Sequence, residues 1–353
     1  MSTFERVADL ALEIDSYELE TLSFSPNDDF ERLTTVIHVA KDGLTGNGED
    51  VTYEGLDAIA LADAGSYLDL TGPRTVGEFC DLMAETDLFP VPPEREVSRN
   101  YRRWAFESAA LLLALKQADT DLAAALGREL SPLTFVASMG LGGGPGSTGS
   151  DIGRLLAKLE NYPDLKFKLD PALDWDQDLI ECLVETGAVN TLDLKGQYKG
   201  TPVDIDTDPG MYRRLAESFP EAWLEDPDIT DETRPILEPV IDRVTWDAPI
   251  HSLEDIASLE FKPKVINIKP SRMGGLRSLL DAYDYCDSES ITAYGGGQWE
   301  LGVGRDQIQY LAALFHPDAP NDTAPRGYNS PIPEPGLPVS PMPVPSIGFG
   351  IPN

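Results

Sequence analysis

The chain has 353 residues, of which 61 are Asp or Glu and 27 are Lys or Arg, giving a formal charge of −34. So negative a surface repels phosphate backbones and anionic head groups, which excludes nucleic acid and membrane surfaces as expected partners. An apolar share of 41% rules out disorder by composition and, at this length, supports two domains or one large barrel with an addition.

In chain order, ERLTTVIHVAKDG and LTGNGEDVTYEG read as strands about Asp42-Gly43, a pair that closes tight hairpins. TVGEFCDLMAETDLF and NYRRWAFESAALLLALKQADTDLAAALG read as helices, the second ended by Gly127, with the Pro-rich FPVPPER between them. Residues 1–130 are thus expected to form a small α+β domain. From Leu133 the pattern becomes short β-rich runs, each followed by a helical stretch: LTFVASM, LKFKLD, NTLDLK, AWLEDP, RVTWDAP, KVINIKP and SITAYGG. Their ends at Lys168, Asp193, Glu225, Asp247, Lys269 and Gly295 are 25, 32, 22, 22 and 26 residues apart, the length of one βα unit. Residues 131–325 therefore predict a parallel barrel whose eighth strand follows the helix VGRDQIQYLAALF. A doubly wound sheet competes, but no dinucleotide fingerprint or P-loop lysine fits GLGGGPGSTGSDIGR, which reads as a loop over the barrel mouth. Residues 326–353 are Pro-rich, with eight prolines in the last 23 positions, and are expected to pack along the surface in extended form.

Three cysteines, Cys80, Cys182 and Cys286, form neither a disulfide framework nor a CxxC pair and point to a reducing cytoplasm. No apolar run reaches the roughly 18 residues of a membrane span, and MSTFERVADLALEIDSYELE lacks a secretory signal's basic flank. Only ten of the basic residues are Lys, a balance suited to the strongly screened cytoplasm of a halophile. Eight of the ten lie within the 112 residues from Lys158 to Lys269; of these, Lys158, Lys199 and Lys262 read as solvated.

Chemistry in a parallel barrel sits at the carboxyl ends of its strands. Here these ends bring Asp193, Glu225 and Asp247 from adjacent strands toward one point, an all-oxygen set suited to Mg²⁺, with Mn²⁺ as the substitute. Zinc is disfavoured, because His38, His251 and His316 form no HxH or HExxH pair. Lys166 and Lys168 on one flank and Lys269 on the other suit removal of a proton beside a carboxylate. One lysine takes the proton, the cation neutralises the enediolate, and the second lysine returns a proton or assists a leaving group. Alternation along a strand places both lysines of KFK on one face.

Five segments carry a resemblance to the enolase superfamily, nearest its muconate-lactonising subgroup, which includes o-succinylbenzoate synthases and N-acylamino acid racemases. LTTVIHVAKDGLTGNGED resembles the capping-domain hairpin, KFKLD the KxK strand and WLEDP the Glu-x-Pro strand. VINIKPSRMGGL resembles the sixth-strand lysine motif and YGGGQWELGVGR the GGMxExGxGR segment. The resemblance implies an α/β fold, a (β/α)7β-type modified TIM barrel with an α+β capping domain, and a Mg²⁺-dependent lyase or isomerase. It implies Lys168 and Lys269 as the acid/base pair, Lys166 in support of Lys168, and Asp193, Glu225 and Asp247 as Mg²⁺ ligands. Glu300 falls at the barrel mouth, a possible partner for substrate or lysine. Gly274-Gly275 allows close backbone approach after the sixth strand.

Two departures stand out. The family's Asp-x-Asn is Asp193-Leu194-Lys195 here, and its Asp-Glu is Asp247-Ala248. Lys195 is expected on the side of Asp193, either competing with the cation or serving an altered substrate site. Further substrate contacts are expected from the segment LSFSPNDDFER, through Phe24, Asn27, Asp28, Asp29 and Phe30, from Ser147 to Ser150, and from Trp299 and Arg305, the last suited to a second carboxylate. The substrate is expected to be a small carboxylate and the protein a homo-oligomer. The alternative is a catalytically altered member that binds a ligand or serves assembly; a Schiff-base aldolase through Lys269 ranks last, since it leaves three acids unused.

Overall fold

The computed structural model describes residues 1–27, 30–142, 149–201, 203–344 and 348–350. Strands β1 (Ala11–Ile14), β2 (Ser16–Asn27), β3 (Phe30–Lys41), β4 (Leu44–Asp50) and β5 (Gly72–Thr75) precede the barrel; β2, β3 and β4 form an antiparallel sheet and β1 pairs with β5. The Asp42-Gly43 hairpin is present, with φ of 50° and 83°, the positive pair that its twist demands. β2 is a strand that composition did not reveal. It runs antiparallel to β3 over its length, and Asn27 pairs with Phe30.

The helix Val76–Glu85 begins at a reciprocal Thr75–Glu78 capping box. The second predicted helix is two, Ser98–Gln117 and Leu122–Leu126. Asp119, at φ 49°, stops the first, and the Asp121 carboxylate caps the second by accepting the Ala124 N–H. Ser98–Gln117 lies directly on β4, and the approach depends on Gly46 and Gly48. A Cβ at these positions would stand 2.1 Å from the Ala109 carbonyl oxygen and 2.0 Å from that of Ala105.

The barrel sheet runs β6 (Ala137–Gly140), β7 (Phe167–Asp170), β8 (Val189–Asp193), β9 (Trp223–Glu225), β10 (Val244–Trp246), β11 (Val265–Ile268) and β12 (Thr292–Gly295), paired in sequence order and all parallel. The expected eighth strand shrinks to a seam. Asn321 bridges to Phe135 on one side and Asp322 to Gly296 on the other, both in parallel sense. Asn321 is fully buried and fixes this seam: its amide donates to the carbonyls of Thr134, His316 and Ala319, and its oxygen accepts the Gly295 N–H at 2.6 Å.

After the seam the tail packs on the barrel's outside. Tyr328 sits between Phe135 and Tyr162, Met342 bridges to Leu133, and Phe349 is buried against Trp104 and Tyr310. Lys158, read as solvated, is instead 4% exposed, its ammonium donating to the Tyr328 carbonyl at 2.7 Å and to that of Ser330.

Candidate active site

The capping domain and barrel meet at the loop after β12. Arg32, fully buried on β3, donates to the carbonyls of Thr52 (2.6 Å) and Val51 (2.7 Å) in its own domain and of Gln298 (3.0 Å) and Trp299 (3.3 Å) in the barrel loop. Glu49 on β4 accepts the N–H groups of Leu301, Gly302 and Gly304 at 2.7–3.0 Å, placing a carboxylate at the N-terminus of the helix Val303–Phe315. Trp299 therefore faces the hairpin end: Phe30 stacks on it, with ring centres 5.8 Å apart, and Phe24 meets it edge-on. Asp28 and Asp29 of the same segment, with Ser147 and Thr148, lie outside the described residues.

At the strand ends charge is concentrated and buried. Lys168, the second residue of β7, sends its ammonium to Asp193 at the end of β8 (3.1 Å) and to Glu225 at the end of β9. The other Glu225 oxygen accepts the Tyr294 hydroxyl. Lys269, just after β11, reaches Asp247 at 2.7 Å, and Arg272, one helical turn later, holds the other Asp247 oxygen at 2.9 Å. Asp193, Glu225 and Asp226 bring one carboxylate oxygen each within 4.8 Å of one another. Asp226, at φ 49°, accepts the N–H groups of Asp247 and Ala248, both at 2.8 Å.

One expectation needs correction. Lys166 is not beside Lys168. Lys166 precedes β7, and its exposed ammonium donates to the Gly187 carbonyl at 2.8 Å. The same alternation read forward finds Asp170 on the face of Lys168, and Asp170 lies 3.3 Å from Lys195. Asp247, expected as the third ligand, is engaged by Lys269 and Arg272, while the neighbouring Asp226 brings an oxygen within 4.8 Å of those of Asp193 and Glu225. Lys195, at φ 54°, folds back on Asp193 as expected, ammonium to carboxylate at 2.5 Å.

The protonation preferences follow. Burial weighs most on every one of these groups. For Lys168 the carboxylates of Asp193 and Glu225 outweigh it, and its pKa lies well above the ordinary lysine value. For Lys269 burial, aided by the charges of Arg272 and Lys168, prevails over Asp247, and its pKa is lowered. Burial, with Asp193 and Asp247 adding to it, raises Glu225 well above the carboxylate range and Asp226 to about 7. Asp193 and Asp247 go the other way: burial is overcome by Lys168 and Lys195 for the first and by Arg272 and Lys269 for the second.

A cavity of about 550 Å³ opens beside this cluster, with Ser138, Asp170, Trp299, Arg305 and Asp322 in its wall. Asp322 lies 3.7 Å from the Lys168 ammonium, so cavity and lysine cluster are contiguous. Arg305 also lies 3.4 Å from Glu300, whose other oxygen accepts the Gln298 N–H. Glu300 is thereby turned onto its own loop. Sequence reasoning missed Asp226, Asp170, Arg272, Tyr294 and Asp322. Asp226 adjoins a chosen acid, and Arg272 stands three residues after a chosen lysine; Asp322 gave no signal, because the seam carries no strand pattern.

Two family models cover nearly the whole chain: the N-terminal domain of a domain of unknown function (DUF8230) matches residues 5–125 and its C-terminal domain matches 129–330. The o-succinylbenzoate synthase of Geobacillus stearothermophilus is 26% identical over 312 residues, 83% of this chain and 77% of that protein. Among solved structures, a dipeptide epimerase from Methylococcus capsulatus complexed with Mg ion superposes with a TM-score of 0.66 at 19% identity, covering 88% of this chain and 90% of that one. An enolase-superfamily member from Listeria innocua gives 0.60 at 19% identity, over 89% and 86%.

Proposed function

From a chain that belongs to the DUF8230 family and to the enolase superfamily, we propose a divalent-cation-dependent lyase or isomerase that removes the proton α to a substrate carboxylate. The observation that carries this reading is the cluster itself, three carboxylate oxygens within 4.8 Å, with Lys168 on Asp193 and Glu225 and with Lys269 on the neighbouring Asp247. The donors fit Mg²⁺ or Mn²⁺: all are oxygens, all are buried, and the raised pKa values of Glu225 and Asp226 reflect burial first and then repulsion from neighbouring acids, which a dication offsets. Asp193, Glu225 and Asp226 would hold the ion, which supplies positive charge to the substrate carboxylate as negative charge builds there. Lys269, whose pKa burial lowers, takes the proton, while Asp247 and Arg272 fix its position. Lys168, kept charged by Asp193 and Glu225, presents an ammonium to the developing charge and returns a proton, or protonates a leaving group. Trp299, Phe30 and Arg305 bound the space for the rest of the substrate, with Arg305 suited to a distal carboxylate.

Racemisation and syn dehydration use the same two lysines. N-acyl amino acids, dipeptides and cyclohexadiene carboxylates, incubated in deuterium oxide with Mg²⁺ and molar KCl, separate them: label washing into both faces marks 1,1-proton transfer, and new ultraviolet absorbance marks loss of water. Exchange that survives in both Lys168→Ala and Lys269→Ala removes the reading. A second reading, a binding protein without catalysis, is favoured by one observation: Lys168, Lys195, Lys269 and Arg272 already neutralise most of the acids. Metal titration of the chelator-treated protein decides against one of the two.

A further inference from the structure

Lys195 holds Asp193 through both its backbone and its side chain. Its left-handed φ of 54° turns the chain back directly after β8, so its own N–H donates to one Asp193 oxygen (3.2 Å) and its ammonium to the other (2.5 Å). Asp170, one strand away and in the cavity wall, lies 3.3 Å from the same ammonium, and the Tyr198 ring stands 5.2 Å from it on another side. The side chain is only 16% exposed. Asp193 is also one of the three acids whose oxygens share a 4.8 Å space.

An oxygen already bearing an ammonium cannot accept a dication at about 2.1 Å without bringing two like charges together. We propose that Lys195 is a resident counter-ion that sets the cation affinity of the centre: it sits on Asp193 when the site is metal-free and moves onto Asp170 when a divalent ion binds. Asp170 then does two things. It gives the displaced ammonium a partner, and it lowers the cost of displacement. The inference rests on the metal centre proposed above.

Calorimetric titration of Mn²⁺ into metal-free protein at fixed molar KCl tests both. Lys195→Met removes the ammonium, keeps the length and adds no oxygen ligand; it binds Mn²⁺ at least about tenfold tighter than the parent, a difference of about 1.4 kcal/mol. Lys195→Arg keeps the charge and stays within about threefold of the parent. Asp170→Asn leaves Lys195 with nowhere to go and binds several-fold more weakly; because it retains the hold on Asp193, it provides the answer if Lys195→Met does not fold. Parent-like affinity in Lys195→Met, or tighter binding in Asp170→Asn, overturns the counter-ion role and leaves the metal centre standing. No heat from the parent or any variant overturns the metal centre and the inference together.

Discussion

Asp226→Asn should make metal-free protein less sensitive to pH and more stable at pH 8. Asp226 is fully buried with a pKa raised to about 7, by burial first and then by Asp247 and Asp193. A carboxyl ordinarily titrates near 4, so between about pH 4 and pH 7 the folded state holds a proton that the unfolded chain has lost. Stability therefore falls as pH rises through this window. The displacement of roughly three pH units corresponds to about 4 kcal/mol, fully expressed above pH 7. Asparagine cannot ionise and escapes this cost, but its one carbonyl oxygen can accept only one of the two N–H groups from Asp247 and Ala248 cleanly. The orphaned donor costs about 1–3 kcal/mol, leaving a net gain of roughly 2 kcal/mol at pH 8 and a net loss at pH 5. His316, depressed to about 4 by burial, contributes the opposite slope below neutrality, so the informative quantity is the difference between parent and variant. Melting temperatures of both proteins, taken with chelator at constant molar KCl from pH 5 to 8, supply it. Parallel curves, with the variant uniformly less stable, would refute the assignment of a protonated Asp226. Saturating Mg²⁺ should flatten the parent curve, since bound cation favours the ionised form.

Lys269→Ala should lose α-proton exchange by a factor of at least about a hundred, as expected for deletion of a general base; single-turnover deuterium exchange measures it. Chelation should stop turnover without unfolding, because Lys168, Lys195, Lys269 and Arg272 still oppose the acids; unchanged far-ultraviolet dichroism beside lost activity is the expected pair of results. Gly48→Ala should destabilise by about 3 kcal/mol or more, since its methyl would stand 2.0 Å from the Ala105 carbonyl oxygen; denaturant unfolding of the isolated variant tests this. Phe30→Ala should raise KM with little change in kcat, because its ring reaches Trp299 and not the lysines, and steady-state kinetics separates the two constants.

How far the sequence led depended on periodicity. Seven βα repeats of similar length exposed the barrel and its order, because each repeat is one packed unit with its own strand end. Lys168, Asp193, Glu225, Asp247 and Lys269 lie on those ends, and the fold brings them together. Two kinds of residue escaped. Lys166 was misplaced because alternation assigns a face and not a height along the strand: Lys166 precedes β7, and its ammonium turns to the Gly187 carbonyl. Asp322 was invisible because two bridged residues have no period to detect. The surroundings of the acids also lie beyond pattern: Asp226 and Asp247 are equivalent as letters, and only the structure shows that Lys269 and Arg272 reach Asp247.

The grip of Arg32 and Glu49 on residues 298–304 has a consequence for engineering. Specificity in such an architecture invites chimaeras in which one protein's hairpin is grafted onto another's catalytic scaffold. Here the graft would carry a guanidinium shaped for two particular peptide carbonyls and a carboxylate shaped for three particular amides. A donor hairpin lacking either would leave those groups dry and unmatched. The transferable module is the hairpin together with the Gly297–Gly304 turn, two stretches of sequence far apart that have to be exchanged as a pair.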